Sequence, residues 1–363
     1  MQLDKPQGTL RVATFNVDMA RKGAGVLLKD ITDRDPQILA VARIILHVRP
    51  DILLLNEIDH DPQGLSVSRF AALLAEGVEG LEGLDYAHRF TAPVNTGVPS
   101  GFDLDGDGRT MGPRDALGFG RFPGQYGMGL LSVVPLGEAR TFQNFPWSKV
   151  PGQENPRNPD GSGYYSPEVW QALPLSSKSH WDVVARLPDG RALHILASHP
   201  TPPVFDGPED RNGQRNAAEI SFWTAYVGGQ GWMVDDAGQS GGLEGDAFVI
   251  LGDLNADPEK GDGNRRTIGA LLQHQRVQDP MPVSPGAAEQ GSPRDTADWP
   301  EDKGPGNLRV DYVLPSTGLG VAGAGVFWPG ADDPLARLVA TKGRKRASSD
   351  HRLVWVDIRL ENR

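Results

Sequence analysis

Val249-Ile250-Leu251-Gly252-Asp253-Leu254-Asn255 decides how the rest of the chain is read. Three consecutive β-branched or long apolar residues have the composition of a buried strand. Gly252 closes the run, and Asp253 and Asn255 follow two apart, so an extended backbone sends both to one side. A strand that ends by carrying a carboxylate and an amide out of the core is how ligand sites arise in α/β sheets.

The same punctuation recurs along the chain. Asn16 follows the apolar run in Thr14-Phe15-Asn16-Val17, Glu57 ends Leu53-Leu54-Leu55-Asn56-Glu57, and His199 ends Leu196-Ala197-Ser198-His199. Ser348-Ser349-Asp350-His351 stands just before a last apolar run, Leu353 to Ile358. Further strand candidates are Leu10 to Phe15, Met128 to Val134, Trp181 to Leu187, Ala192 to Ala197 and Val310 to Leu314. Helical patterns cover Pro36 to Val48, Ser66 to Leu74, Arg215 to Val227 and Arg266 to His274, the first with Pro in its first turn. The class is therefore α/β. Pro188-Asp189-Gly190 between two strand candidates predicts a hairpin, so the sheets are expected to be mixed. Three Gly- and Pro-rich stretches, at about 92–126, 144–179 and 281–307, interrupt this pattern. Strand candidates continue on both sides of each, which makes them insertions in a single domain spanning 1–363.

With 363 residues the chain is long enough for a substantial core, and its apolar runs fall far short of the roughly 20 residues of a membrane-spanning helix. The net charge of −11 weighs against a protein that grips long nucleic acid through phosphates. With no cysteine, metal ligands are limited to oxygen and imidazole, which favours hard ions such as Mg²⁺, Mn²⁺ or Ca²⁺. Met1-Gln2-Leu3-Asp4-Lys5-Pro6 lacks an apolar signal core. That leaves an intracellular protein or one whose leader has been removed.

The polar residues at the strand ends form a coherent set. Glu57, Asp350 and the amide oxygen of Asn16 are hard donors for a divalent ion that would neutralise a phosphoryl group. His351 suits a general base or a transition-state stabiliser, and Asp253 suits activation or orientation of a water. Asn255 and His199 suit hydrogen bonds to phosphoryl oxygens.

In order, Thr-Phe-Asn, Asn-Glu, Ser-His, Gly-Asp-Leu-Asn, Val-Asp-Tyr and Ser-Asp-His, from Thr14 to His351, resemble the motifs of the endonuclease/exonuclease/phosphatase superfamily. Each motif alone is weak, and six in order are strong. The resemblance implies a four-layer α/β sandwich of two mixed sheets flanked by helices, and a Mg²⁺-dependent in-line attack of water on phosphorus. It carries Asn16, Glu57 and Asp350 onto metal positions and Asp253 and Asn255 onto the water- and phosphate-contacting pair. His199 falls on a phosphate-contacting histidine and His351 on the catalytic one, while Asp311 matches a carboxylate that orients a histidine. Two positions depart from the pattern. Asn56 stands for the common Gln, and Gln125 stands where abasic-site endonucleases have Tyr, so Tyr126 receives no role. The expected activity is that of a phosphodiesterase or phosphatase on a small or lipid-derived phosphoester. A nuclease acting on DNA or RNA is the alternative, and a non-catalytic binding domain on the same fold is a further one.

Other features are secondary. Asp103-Leu104-Asp105-Gly106-Asp107-Gly108 matches the first half of a calcium loop, with Arg114 at the position of the bidentate Glu. A structural Ca²⁺ site there would be weak, in the extracellular range, and favours a secreted or periplasmic protein whose leader is absent from this sequence. Lys178 and His180 are second-tier candidates to face the site and are read as surface groups, and Arg211 and Arg215 are candidate phosphate contacts at a helix start, where an Arg is more often solvated. Lys342-Gly343-Arg344-Lys345-Arg346, just before Asp350, is a candidate for steering an anionic substrate.

Overall fold

The computed structural model describes residues 3–302, 304–342 and 345–360. Six strands pair in the order Val321–Val326 (β10), Val354–Arg359 (β13), Thr9–Asn16 (β1), Ile52–Asn56 (β2), Met128–Ser132 (β4) and His88–Phe90 (β3). Five more pair in the order Leu136–Thr141 (β5), His180–Arg186 (β6), Ala192–Ser198 (β7), Phe248–Asp253 (β8) and Asp311–Pro315 (β9). Thr341–Lys342 (β11) and Lys345–Arg346 (β12) form a separate ribbon. β1 runs parallel to β2, and β7 to β8, while the other neighbours are antiparallel, so both large sheets are mixed. β6 and β7 form the expected hairpin over Pro188-Asp189-Gly190, with Gly190 at φ 86° as the turn requires.

The period of two along each strand sorts residues between layers. In β8, Val249 and Leu251 face the core between the sheets, whereas Phe248 and Ile250 join a second core. In β9, Val313 takes the first side and Tyr312 and Leu314 the second. β1 packs on β8 and β9, and β2 packs on β8, closing the two sheets face to face. Val26–Thr32 (α1), Pro36–Val48 (α2) and Leu65–Glu76 (α3) share the first core, while Arg211–Val227 (α5) and Arg265–Leu272 (α6) share the second. Two mixed sheets flanked by helices are the architecture the motifs implied.

α2 spans the range its periodicity predicts. Asp35 caps it by accepting from the Gln37 amide, and Pro36 fits the first turn.

The insertions hold little regular structure. Residues 92–126 contain neither helix nor strand, 144–179 contain a short 3-10 turn and the helix Pro167–Ala172 (α4), and 281–307 contain the helix Pro285–Glu289 (α7). The first two are locked together. Asn95 Nδ2 donates to the Gln143 carbonyl at 2.7 Å and to that of Ser176 at 2.8 Å, and the Asn95 amide donates to the Lys178 carbonyl. A Cβ on Gly118 would meet the Ser177 carbonyl at 2.0 Å, so backbone packs directly on backbone there. Among the described residues, no helix is long and apolar enough to cross a membrane.

Candidate active site

The strand ends that the sequence marks lie together at one edge of the sandwich. Asp253 extends the inward series Val249, Leu251, and Asp311 opens the inward series of β9, so both carboxylates emerge between the sheets. From the opposing sheet, Asn16 Nδ2 donates to Asp253 Oδ2 at 3.0 Å and to Glu57 Oε1 at 3.2 Å. Asn56 ties the sheets together. Its amide oxygen accepts from the Asp253 amide and from Thr14 Oγ1, each at 3.2 Å. Gly252 allows the approach of β8 to β7, because a Cβ there would stand 2.0 Å from the Ser198 carbonyl.

Two histidines flank Asp253. His199 Nε2 lies 3.4 Å and His351 Nε2 3.7 Å from Asp253 Oδ2. His351 Nδ1 is held 2.9 Å from Asp311 Oδ2, which also accepts from Thr296 Oγ1 at 2.8 Å. The Asn255 amide donates to Asp253 Oδ1 at 2.9 Å, and its side chain donates to the Pro200 carbonyl at 3.1 Å. Asp350 accepts from Trp299 Nε1 at 2.8 Å, and the Trp299 ring stands edge-on to His351. All eight residues singled out for the site are therefore brought to this edge. Asp18, Glu57, Tyr126 and Asn255 all hold positive φ, between 48° and 60°, and such conformations cluster where the surroundings enforce them.

The electrostatics divide the site in two. Burial, then the charges of Asp18 and Asp350, push the Glu57 carboxyl up to about 7. Burial and Asp350 likewise raise Asp18. Arg346 reaches Asp350 at 3.0 Å and Asp18 at 3.5 Å. Asp18 and Asp350 thus press their charges on Glu57, while the Asn16 amide oxygen accepts from the Asp18 amide at 3.2 Å, and these are hard oxygens of the kind a divalent cation takes. On the other side, burial would raise Asp253, yet His351, His199 and the Asn16 amide hold its carboxylate well below the usual range. Burial would lower His351, but Asp311 and then Asp253 hold it well above the ordinary imidazole value. Burial and the Lys178 charge drop His199 to about 4.

Among the described residues, two groups of three have acidic or imidazole donor atoms within 4.8 Å of one another, and Glu57, Asp18 and Asp350 are not one of them. One is Asp253, Asp311 and His351, whose closest contact is the Asp311–His351 hydrogen bond. The other is Asp103, Asp105 and Asp107 in the calcium-like loop. There, Asp103 accepts from the amides of Gly106, Asp107 and Gly108, which fold the loop around its own carboxylates.

Several secondary readings are corrected. Lys178 and His180 are buried, not surface groups. His180 bonds Ser176 Oγ at 2.6 Å and the Glu219 carbonyl at 2.9 Å and packs on Phe222 and Trp223, a structural role. Lys178 lines a cavity that opens from Glu57 and His199. Arg215 is not solvated, because it donates to the carbonyls of Pro174, Leu175 and Ser176. Arg211 pairs with Glu209 and lies over the Tyr164 ring at 5.1 Å. Gln125 is buried and donates to the Arg21 carbonyl at 2.6 Å, so the cavity wall beside Glu57 is taken by Tyr126. Of the basic run at 342–346, Gly343 and Arg344 lie outside the described residues. Asp18, Thr296 and Trp299 were not expected at the site. The Asn16-Val17-Asp18 spacing was a signal for the first, whereas the other two sit in the third insertion, where no pattern marks them.

No curated protein sequence matches the chain. Among solved structures, an endonuclease/exonuclease/phosphatase from Beutenbergia cavernae superposes with a TM-score of 0.55 at 19% identity, covering 98% of this chain and 72% of that one. The human Nocturnin catalytic domain with bound sulfate gives 0.50 at 16% identity, covering 98% and 95%. A family protein from Leptotrichia buccalis gives 0.50 at 13%, covering 96% and 99%. At these identities the likeness is one of fold. The sequence profile of the Endonuclease/Exonuclease/phosphatase family matches residues 13–351, and the chain belongs to that family.

Proposed function

We propose that the chain is a divalent-metal-dependent phosphoester hydrolase in which water attacks phosphorus in line. The observation that carries this reading is the Asp253 carboxylate, held charged between His199 and His351 next to the crowded carboxylates of Glu57, Asp18 and Asp350.

Mg²⁺ or Mn²⁺ held by Asn16, Glu57 and Asp350, with Asp18 beside them, would supply Lewis-acid neutralisation of a phosphoryl oxygen. The chain's own groups do the rest. Asp253 accepts a hydrogen bond from the attacking water and aims its oxygen at phosphorus, and Asn16 and the Asn56 oxygen fix the rotamer and backbone of Asp253. Asn255 and His199 border the same carboxylate, and their N–H groups suit phosphoryl oxygens as charge builds there. Asp311 keeps His351 oriented and protonated, so its Nε2–H can stabilise that charge. As the new P–O bond forms, the ester P–O bond breaks, the attacking water gives up a proton by way of Asp253 to solvent, and the leaving alkoxide takes up a proton from solvent.

A small or lipid-derived phosphoester suits the chain better than long nucleic acid. The net charge is −11, and the clefts beside the site, of about 500 and 750 Å³, have small-molecule dimensions. Hydrolysis of bis(p-nitrophenyl) phosphate, p-nitrophenyl phosphate and plasmid DNA, with Mg²⁺ and with EDTA, tests both points. Turnover of the small esters that stops in EDTA is expected. Plasmid cleavage far outrunning the esters would reverse the substrate order in favour of a nuclease, and activity indifferent to EDTA would remove the metal.

A further inference from the structure

Next to the acidic centre, the cavity of about 500 Å³ is lined by apolar side chains such as Leu104, Phe119 and Phe205 together with a set of cations. Arg114, Lys178, Arg211 and Arg215 reach its wall, against the carboxylate of Glu57 at its inner end. In a chain of net charge −11, that concentration of cations marks the cavity out. Lys178 is only 5% exposed and opens into it. Its ammonium has neither ion pair nor hydrogen bond among the described residues.

Hydroxyl groups that line the same space share this condition. Thr96 Oγ1, Ser177 Oγ and Thr201 Oγ1 are all buried without a hydrogen-bond partner. Buried polar groups are normally paired, because leaving one unpaired is costly, and a buried ammonium on a cavity wall whose neighbouring residues carry three unpaired hydroxyls calls for a ligand. The structural alternative is that Lys178 exists to neutralise Glu219. However, Glu219 is already satisfied, its two oxygens accepting from the Ser177 amide at 2.7 Å and the Thr201 amide at 2.6 Å. Glu219 thus fixes the two loops that present Ser177, Lys178 and Thr201 to the cavity.

We propose that Lys178, with the hydroxyls of Thr96, Ser177 and Thr201, binds a second anionic, phosphate-sized group of the substrate beside the phosphoryl group that is hydrolysed. Every member of this set can donate a hydrogen bond, as a multiply charged oxyanion requires. The substrate class is then a compact phosphorylated molecule with two acidic groups, such as a polyol or sugar bisphosphate. This deepens the hydrolase reading and rests on it.

The first test is equilibrium binding of inorganic pyrophosphate in EDTA, for the wild type, Lys178→Met, the pair Ser177→Ala with Thr201→Val, and Asn255→Ala. Lys178→Met should weaken binding about tenfold or more, the double substitution should weaken it as well, and Asn255→Ala should weaken it less than Lys178→Met does. Lys178→Met should also keep or raise Tm, since it removes an unpaired buried ammonium. Binding lost in Asn255→Ala but kept in Lys178→Met would place the anion in the catalytic centre and overturn the subsite. So would a lower Tm with binding kept, or a wild type that fails to bind at millimolar concentration. The second test is the kcat/KM preference for a hexose bisphosphate over the hexose monophosphate, which should fall about tenfold in Lys178→Met. An unchanged preference overturns the subsite and leaves the hydrolase reading intact. A wild type that binds pyrophosphate through Lys178 but hydrolyses no ester keeps the subsite and overturns the hydrolase.

Discussion

Asp311→Asn separates a proton-holding role for the buried pair from a metal-holding one. The substitution keeps the volume and one oxygen able to bond His351 Nδ1, and it removes the charge 2.9 Å from that nitrogen. At an effective dielectric of about 20, the attraction across that distance is roughly 6 kcal/mol before lost hydration is counted. Asp253 still stands 3.7 Å from the other ring nitrogen, so only part of this appears in the proton affinity of His351. The proton affinity of His351 should therefore fall. His351, held well above the ordinary imidazole value by Asp311 and then Asp253 in the wild type, would then lose its proton at lower pH than it does in the wild type. If the proton stabilises developing charge, kcat near neutrality should fall by about 10²–10⁴, with partial recovery as the pH is lowered. The measurement is kcat against pH at saturating Mg²⁺, together with the imidazole titration followed by NMR. Were Asp253, Asp311 and His351 instead to hold the metal, activity in the variant would return at high Mg²⁺ with no movement of the pH profile. A variant with wild-type kcat and wild-type pH dependence would refute the pairing argument altogether.

Glu57 gives a stability test. Its folded proton affinity is raised to about 7 from 4.5, so the contribution of Glu57 to the stability of metal-free protein should be fully present below about pH 4.5 and lost as the pH rises through about 7. Glu57 is partly exposed at the cavity wall, and solvent screening limits the loss to about 2 kcal/mol or less. Mg²⁺ should flatten this dependence. Glu57→Gln should raise Tm in EDTA above about pH 7 and abolish the gain from Mg²⁺, and a Tm that ignores Mg²⁺ in both proteins would count against the donor set. In the calcium-like loop, three carboxylates converge within 4.8 Å. Calorimetry with millimolar Ca²⁺ should therefore give heat for the wild type and none for Asp105→Ala. Heat that survives the substitution would locate the ion elsewhere.

Much of the centre was legible because its residues end apolar strands. In β8 the period of two that buries Val249 and Leu251 dictates where Asp253 points, and the same holds for Asp311 before Val313. Beyond the strand ends that rule lapses. Asp18 lies past the turn after Asn16, at φ 48°, where no periodicity constrains a side chain. Thr296 and Trp299 reach the site from an insertion rich in Gly and Pro, whose path depends on tertiary contacts such as the Asp298 amide on the Asp350 carbonyl. Lys178 failed for a different reason. A lysine is seldom buried without a partner, so the expectation of a surface position was sound chemistry that this cavity overrides.

That override also shows how the parts divide their work. The catalytic edge gathers negative charge, through Glu57, Asp18, Asp350 and Asp253, and such a centre repels an anionic substrate until a cation offsets it. Cations supplied by the first two insertions and α5 lie immediately beside it, at Arg114, Lys178, Arg211 and Arg215. On the proposed function, an anionic substrate would therefore find cations of the insertions beside the carboxylates of the strand ends. Because Asn95, Gly118 and Glu219 tie the insertions to one another and to the helix layer, the cationic wall is held at a fixed place relative to His199. Substrate choice can then change through the cavity wall alone, while the strand-end chemistry stays as the sheets define it.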